Sequence, residues 1–428
     1  MASRKPMCAV CRGRCDPLHN PPSARACLHR REGEDRSRDP RSTRESTTPD
    51  RGEKIPCVVQ ENAHVGRSTT ATGKASFRVS SMSSIAALIE QACLLEATAR
   101  KPGNVHPCAS FVDLCYDDFV RAAEVSAPIL AEARAHGLGP AVRSAVEATR
   151  AATGRNVNLG ICLLLAPLAI GAAEGALWSG ARRALLTATV DDAHEVYRAI
   201  RLAQPGGLGQ SPRQDVAERP TLPLREVMAL AATRDDVARE LSTGFLRLER
   251  EIVPCLAEAA EHTAAVAVPL PSACPASTAC ATTVPAVLPA LSAFPAWERA
   301  TVLTHLRLIA EGDTLIRRKC GDEVCREAAQ RAALLWHLWR ESREIPAERM
   351  NEFDAWLRAD GHRRNPGTSA DLVAAALFAA LVEQRRPFPS LAELRAKNGR
   401  PLRGRGVDYL PDKGSGTCVV LPTQTANN

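Results

Sequence analysis

The amino-acid sequence predicts an all-α fold, organised as a single compact multi-helix domain. Alanine and leucine are abundant, aromatic residues make up only 4% of the chain, and alternating runs of β-branched residues are nearly absent. Alanine and leucine favour helices, whereas a strand would need apolar and polar residues in alternation. The chain has 428 residues, 45% of them hydrophobic, and can therefore bury a sizeable core.

Helical apolar patterns follow one another from residue 85, and short polar stretches separate them. The most apolar run, 159–173, is short for a membrane span and contains Pro167, so we expect a buried core helix there and no membrane. The predicted helices span residues 85–99, 116–136, 140–152, 159–178, 190–203, 224–232, 235–249, 297–311, 322–339, 347–359 and 369–383.

Three stretches lack this periodicity and set the predicted domain boundaries. Residues 1–81 are rich in Arg, Ser, Thr and Pro, and we expect a disordered basic extension. Residues 263–295 form an insertion rich in alanine and proline, too broken for one long helix. Residues 387–428 are expected to be a disordered tail. The helical domain is therefore predicted to span residues 82–386.

The charge distribution argues against nucleic-acid binding. The formal net charge is +7, but residues 1–81 carry 16 basic and 9 acidic residues, which accounts for the whole surplus. The remainder of the chain, residues 82–428, has no net charge and offers no electrostatic footprint for DNA or RNA. The 15 cysteines are odd in number, scattered and often placed in apolar helices, as expected for reduced thiols in a cytoplasmic protein.

Two polar motifs lie in the first part of the predicted domain. In the first, a helix ends at Lys101-Pro102-Gly103-Asn104, so that an ammonium and an amide can point into a cleft; the alternative is a simple helix stop with Lys in its last turn. In the second, Asp113 precedes Asp117 by four residues, a spacing that can serve one Mg2+, unless Asp117 only caps the next helix.

Two further motifs flank predicted helices. Asn156 and Asn158 lie at the start of the most apolar helix and are either caps or ligand contacts. Asp313 is followed by three cations, Arg317, Arg318 and Lys319, for which a solvated charge run is the alternative to an anion site.

The segment 363–372 combines cations, a turn, a cap and an acid in ten residues. Arg363 and Asn365 precede a Pro-Gly turn, Ser369 can cap the following helix, and Asp371 falls in its first turn. Free N–H groups and the helix dipole favour negative charge at such a position, so the segment can hold an anion. A well-capped helix start without a ligand is the alternative interpretation.

Taken together and in order, these motifs resemble the triphosphoribosyl-dephospho-CoA synthase family over residues 84–384. Pro366-Gly367-x-Ser369-Ala370-Asp371-Leu372 is similar to the family's Ser-Pro-Gly-Gly-Ser-Ala-Asp-Leu, and 101–105 to its Pro-Lys-Pro-Gly-Leu-Val, with Glu96 nearby. Further matches are Asp113, Asp118-Phe119, Gly244-Phe245 and Asp313-Thr314, together with Asn156 and Gly160 at the ends of its Asn-Thr-His-Lys-Gly.

The resemblance implies transfer of the triphosphoribosyl group of ATP to the 2′-hydroxyl of 3′-dephospho-CoA, with release of adenine. ATP and dephospho-CoA would then be the small-molecule substrates, with Mg2+ as the expected cofactor. Positive charge should develop at the ribose anomeric carbon as the N-glycosidic bond breaks, and a nearby carboxylate would stabilise it. We assign that role, and acceptance of the hydroxyl proton, to Asp313.

The other roles follow residue type and motif position. Asp113 and Asp371 are the expected Mg2+ ligands. The phosphate-binding cations are expected to be Lys101, Lys319 and Arg363. The remaining substrate-binding candidates are polar and uncharged: Asn104, Asn156, Asn158, Asn365 and Ser369.

The chain departs from the family pattern in two places. Val157, Asn158 and Leu159 stand where the family has Thr, His and Lys, and Phe111 stands where it has another His. Losing these groups should weaken anion binding and remove proton donors. Two alternatives therefore stay open: a divergent nucleoside-cleaving or phosphoribosyl-transferring enzyme of another cofactor pathway, and a non-catalytic nucleotide-binding helical protein.

Overall fold

Sixteen α-helices make up most of residues 82–261, 287–385 and 388–397, the part of the chain that the computed structural model describes. The all-α prediction is confirmed, since these residues contain no strand beyond two isolated bridges, His106 with Ala109 and Phe111 with Leu114. The first eight helices are α1 (Met82–Thr98), α2 (Tyr116–Ala131), α3 (Ala133–His136), α4 (Leu138–Thr153), α5 (Leu159–Ala173), α6 (Leu177–Thr187), α7 (Val190–Ala203) and α8 (Leu224–Ala231). The others are α9 (Asp236–Thr243), α10 (Val253–Glu261), α11 (Ala296–Glu311), α12 (Thr314–Cys320), α13 (Asp322–Ser342), α14 (Ala347–Arg358), α15 (Gly367–Val382) and α16 (Leu391–Lys397).

Two helices, α5 and α15, form the centre of the core. Both are apolar on all sides and almost entirely buried, as expected for helices that other helices surround. They pack against each other, and α15 also contacts α1, α10 and α11. No single described helix is long and apolar enough to cross a membrane; α5 and α6, bent by 118°, meet the length and composition test only as a pair.

The first turn of α5 lies against the N-terminal part of α15, and this position defines the site described below; because α15 begins at Gly367, Asp371 follows its first turn and does not lie in it as predicted. Gly160, in the first turn of α5, lies so close to Asp371 of α15 that a Cβ atom there would overlap the carboxylate. The N-terminus of α12 reaches the same place, because Asp313 accepts hydrogen bonds from the backbone N–H and hydroxyl of Ser369. Three helix N-termini thus converge.

The predicted helix 235–249 ends early, at Thr243. Gly244 (φ 71°) and Phe245 (φ 64°) both adopt the left-handed conformation, which stops the helix, and a π-helical turn (Leu248–Ile252) follows. Phe245 is fully buried, and the Gly244 carbonyl accepts a hydrogen bond from Arg182. The Gly-Phe motif therefore shapes the backbone and does not line the cavity described below.

The folded part extends beyond the predicted boundary at residue 386. Helix α16 lies in the stretch that the sequence assigned to the tail; Leu394 is buried, and Arg395 forms an ion pair with Glu90 of α1. Of the other predicted non-helical stretches, 1–81, most of 263–295 and 398–428 lie outside the described residues.

Candidate functional site

A cavity of about 610 Å3 opens between the ends of the core helices. Its walls come from the end of α1, the loop 104–114, the junction of α4 and α5, the ends of α7 and α8, the loop 204–216, α12 and the segment 362–371. Its volume falls within the range of small-molecule sites. Four of the predicted polar motifs and segment 363–372 contribute to this cavity or its supporting layer, which argues against a purely structural role for them.

Asp371 is the most unusual carboxylate in the cavity wall. Within the described part of the chain it accepts no hydrogen bond and forms no ion pair, although it lies against Gly160. Burial raises its pKa well above the ordinary value, and the like charges of Glu96, Asp313 and Asp235 raise it further. A carboxylate in this state attracts a proton or a cation.

Glu96 is a second cavity carboxylate, and Lys101 holds it from behind. The Lys101 Nζ lies 2.9 Å from Glu96 Oε1 and also donates a hydrogen bond to the Glu96 carbonyl. Lys101 has no exposed surface, so it does not line the cavity as the sequence led us to expect. Removing one partner of a buried ion pair leaves the other uncompensated, so Lys101 fixes the position and charge of Glu96.

Asp313 also occupies a different place from the one predicted. It is 1% exposed and does not line the cavity. Its Oδ1 accepts the backbone N–H groups of Leu315 and Ile316 at 2.9 and 3.0 Å, and its Oδ2 accepts the N–H and hydroxyl of Ser369 at 2.7 and 2.8 Å. These bonds cap α12 and join it to α15. Asp313 and Ser369 therefore lie behind the cavity wall and join the two helices that contribute to it.

Asp113 lines the cavity as predicted, but its partner was not foreseen. Its Oδ1 lies 2.9 Å from Nδ1 of His362, which also lines the cavity. The His362 ring packs edge-on against Phe111, with ring centroids 6.0 Å apart. The cavity thus keeps a histidine beside Phe111, the position where the family pattern has its own. His362 directly precedes the segment 363–372, and its contacts with Asp113 and Phe111 are visible only in the folded chain.

Lys319 is the predicted cation that does reach the cavity. Its Nζ donates a hydrogen bond to the His362 carbonyl at 3.4 Å, and burial lowers its pKa. Gly206 leaves room for it, because a Cβ there would lie 2.8 Å from Lys319 Cε. Arg363, in contrast, is exposed; it pairs with Asp360 and donates to the Lys319 carbonyl outside the cavity.

The four predicted asparagines separate into two groups. Asn104 and Asn365 line the cavity, and their buried Oδ1 atoms have no hydrogen-bond partner in the part of the chain that is described. These oxygens could accept ligand N–H or O–H groups. Asn156 also lines the cavity, where its Oδ1 accepts the Leu159 N–H at 3.4 Å. Asn158 is buried outside the cavity and donates to Ser126.

Several arginines line the cavity although they were not among the predicted substrate-binding residues. Arg155 pairs with Asp118 and Arg318 with Asp235, but Arg150, Arg213 and Arg234 form no hydrogen bond or ion pair through their side chains with described residues. They come from the end of α4, the loop 204–216 and the turn before α9. Because these segments are far apart in sequence, no single motif reveals them.

The donor set fits a Mg2+ ion bound mainly through a ligand's phosphates. No group of three or more His, Cys, Asp or Glu side chains suited to a metal exists among the described residues. Mg2+ typically uses one or two carboxylates together with substrate phosphates. Asp371, with no protein partner and three like charges nearby, matches that requirement. Asp113 is engaged by His362 and is a weaker candidate.

The sequence of the chain matches the family model described as CitG, ATP:dephospho-CoA triphosphoribosyl transferase, over residues 82–270 and 276–389. This match covers well over half of the chain. The protein belongs to this family. It is accordingly a transferase that moves the triphosphoribosyl group of ATP to dephospho-CoA, and the interpretation reached from the sequence is confirmed at this level.

Comparison with solved structures gives a weaker likeness. A protein from Archaeoglobus fulgidus, assigned as a triphosphoribosyl-dephospho-CoA synthase, is 22% identical over 62% of this chain and 99% of its own, with a TM-score of 0.42. No curated protein sequence matches this chain. Membership of the ATP:dephospho-CoA triphosphoribosyl transferase family therefore rests on the family match.

Proposed function

We propose that the cavity described above is the site where the triphosphoribosyl group passes from ATP to dephospho-CoA, with Asp371 as the reacting carboxylate. The observation that carries this proposal is the state of Asp371: a cavity carboxylate without a protein hydrogen bond, at the meeting point of two helix N-termini. Carboxylates of this kind are rare unless a ligand or a cation completes them. Asp313, the acid that the sequence predicts for this role, already accepts four hydrogen bonds from α12 and Ser369.

The triphosphate is proposed to bind near Lys319 and the first turn of α15. Lys319 supplies an ammonium group, and Gly367 and Thr368 of α15 line the same cavity. The positive end of a helix dipole favours an anion there. Mg2+ held mainly by the phosphate oxygens would neutralise part of the triphosphate charge. The free Oδ1 atoms of Asn104 and Asn365 can accept hydrogen bonds from the ribose or the base.

The proposed chemistry is substitution at the ribose anomeric carbon. A lone pair of the acceptor 2′-hydroxyl oxygen forms the new C–O bond, and the electron pair of the C–N bond leaves with adenine. Asp371 accepts the hydroxyl proton, because it lines the cavity and its oxygens accept no hydrogen bond from any described residue. Glu96, kept in place by Lys101, stabilises the positive charge that develops at the anomeric carbon.

His362 is proposed to protonate the departing adenine. Asp113 engages Nδ1, which fixes the ring and leaves Nε2 to carry the second proton. A histidine oriented by a carboxylate is a common general acid. This assignment gives Asp113 an orienting role in place of the predicted metal-binding one. It also provides a proton donor where Phe111 has replaced the histidine of the family pattern.

An adenine-release assay tests the proposed function. The full chain is incubated with ATP and Mg2+, with and without 3′-dephospho-CoA, and both adenine and the coupled product are quantified by liquid chromatography and mass spectrometry. We expect stoichiometric adenine and triphosphoribosyl-dephospho-CoA, only when the acceptor is present. Adenine release without the acceptor, or none with it, would contradict the proposal.

A further inference from the structure

One wall of the cavity carries positive charge that the proposed triphosphate site does not use. Arg150, Arg213 and Arg234 line this wall, and their side chains form no hydrogen bond or ion pair with any described residue. Arg234 interacts electrostatically with Asp215 and helps to lower the pKa of that carboxyl group, but it forms no ion pair with it. Guanidinium groups left without a carboxylate in a cavity are suited to phosphate, which they bind through two parallel hydrogen bonds.

The three arginines lie near one another because of how α4 and α7 pack. Gly139 and Arg143 of α4 contact Asp192 and Glu195 of α7, so the two helices run in the same direction. Arg150, one turn before the end of α4, is therefore beside the end of α7, where the loop 204–216 begins. Arg213 belongs to this loop, and Arg234 lies close to Asp215 and Tyr197.

The loop that carries Arg213 is held in a defined conformation. Tyr197 donates a hydrogen bond to the Gln214 carbonyl at 2.6 Å. The Gln214 side chain donates a hydrogen bond to the Thr221 hydroxyl and accepts one from the Thr221 N–H. Asp215 accepts the N–H groups of Ser211 and Ala217. A fixed loop presents its cation at a lower entropic cost on binding than a flexible one.

Apolar side chains continue this wall next to the arginines. Leu208 of the loop and Leu230 of α8 are each 39% exposed, although they line a cavity in the interior of the fold. Val227, Met228 and Ala231 of α8 extend the same surface. Half-exposed leucines inside a cavity leave apolar area for a ligand to cover, and covering it would stabilise the complex.

We propose that this wall, formed by Arg150, Arg213, Arg234, Leu208 and Leu230, binds the diphosphate and the uncharged arm of the acceptor. The inference rests on the proposed function. Of the two substrates, only dephospho-CoA joins a diphosphate to a long, largely uncharged chain, whereas ATP ends in a triphosphate with no apolar extension. The wall offers the same combination of cations and apolar surface. Bound there, the acceptor brings its nucleoside end towards Asp371 and Glu96, where its 2′-hydroxyl is needed.

Steady-state kinetics of the full chain test this assignment. In the double variant Arg150→Ala/Arg213→Ala, the KM for dephospho-CoA should rise on the order of tenfold or more, because charge-assisted hydrogen bonds to phosphate are lost. The KM for ATP should stay within about twofold. Arg349→Ala, an exposed arginine on α14 paired with Glu352, is the matched control and should change neither value.

The apolar half of the wall has its own test. Leu208→Ser and Leu230→Ser should weaken inhibition by 4′-phosphopantetheine, a fragment that contains the arm but no nucleoside, without changing the KM for ATP. Thermal denaturation of each variant verifies that it is folded. For the arginine and the leucine variants alike, three results would overturn the assignment: an equal rise in the KM values for ATP and dephospho-CoA, a rise in the KM for ATP alone, or no change in either KM.

Failure of the proposed function gives a different result. If the wild-type chain releases no adenine, calorimetric titration with dephospho-CoA still tests the wall. Binding that the double arginine variant weakens would support the acceptor site, even though the reaction had not been found. Unchanged affinity in that variant, or no binding to the wild type, would overturn it.

Discussion

Asp313 and Asp371 both lie at helix N-termini beside the cavity, yet their surroundings are opposite. Asp313 receives four hydrogen bonds and does not line the cavity, whereas Asp371 lines it and receives none from the residues that the structure describes. Both acids belong to motifs that match the family pattern. The difference teaches that a motif identifies which residues matter, while the number of protein donors distinguishes an acid that supports the site from one that is available to a ligand.

The largest effect is expected from Asp371→Asn. The amide cannot accept the hydroxyl proton or carry negative charge, so kcat for acceptor-dependent adenine release should fall about a thousandfold. The melting temperature should not fall, because Asp371 makes no hydrogen bond that the substitution would break. Asp191→Asn, a carboxylate whose side chain is 89% exposed, is the control. A variant with near-normal kcat would remove Asp371 from the mechanism.

Gly160→Ala should produce the next largest effect, through Asp371 alone. Alanine favours a helix, and the new Cβ would overlap the Asp371 carboxylate and displace it. A displacement of about 1 Å costs up to a hundredfold in rate. We therefore expect kcat to fall on the order of tenfold to a hundredfold, with full helical content by circular dichroism. Unchanged kinetics would show that the position of Asp371 is not critical.

Asp313→Asn should have the opposite character. Asparagine keeps only one oxygen. The NH2 group that takes the place of the other cannot accept hydrogen bonds, so the bonds from Ser369 or those from the first turn of α12 are lost. The free energy of unfolding should drop by about 1–3 kcal/mol in urea denaturation. Activity per folded molecule should stay within a few-fold of wild type. A large loss of kcat in a stable variant would return Asp313 to the reaction.

Glu240 lies outside the cavity, so a substitution there should affect the stability of the fold and not the reaction. It is fully buried, one oxygen accepts the Leu248 N–H at 3.1 Å and the other has no partner among described residues. Burial raises its pKa to about 7. The unfolded chain loses this proton at lower pH than the folded one, so the fold loses stability as the pH rises from about 4.5 to about 7, and the loss then levels off.

Glu240→Gln removes that ionisation. The stability advantage of the variant over wild type should grow by about 2–3 kcal/mol from pH 5 to pH 8, while the cost of burying the unpaired amide group is the same at both pH values. Urea denaturation at both pH values measures the difference. An identical difference at the two pH values would mean that Glu240 ionises with an ordinary pKa.

The fold was predictable from the sequence to a large extent, because apolar periodicity directly reports helices. The segments 159–173 and 369–383 read as apolar helices, and they are the two central helices of the core. The limits of the helices were harder: the left-handed Phe245 and the packing of α16 on α1 depend on tertiary contacts. Such contacts leave no local pattern in the chain.

The site was predictable only in part. Asp371, Lys319, Asn104 and Asn365 line the cavity as expected, but Lys101 does not. A lysine after a helix can extend into a cleft or fold back onto its own helix, and here the Glu96 carboxylate and carbonyl draw it back. Arg150, Arg213 and His362 reach the cavity from separate segments. Arg150 and Arg213 thus bring guanidinium groups to a cavity in which Leu159 stands where the family pattern has a Lys.

Cytoplasmic location, Mg2+ dependence and the lack of nucleic-acid or membrane partners stay predictions. The central claim is that Asp371, and not Asp313, acts in the reaction. A single side-by-side measurement tests it most directly: dephospho-CoA-dependent adenine release by Asp371→Asn and Asp313→Asn, each normalised to folded protein. We predict that the first variant is inactive and that the second retains activity within a few-fold of wild type. The reverse pattern, with Asp371→Asn active and a folded Asp313→Asn inactive, would contradict the account.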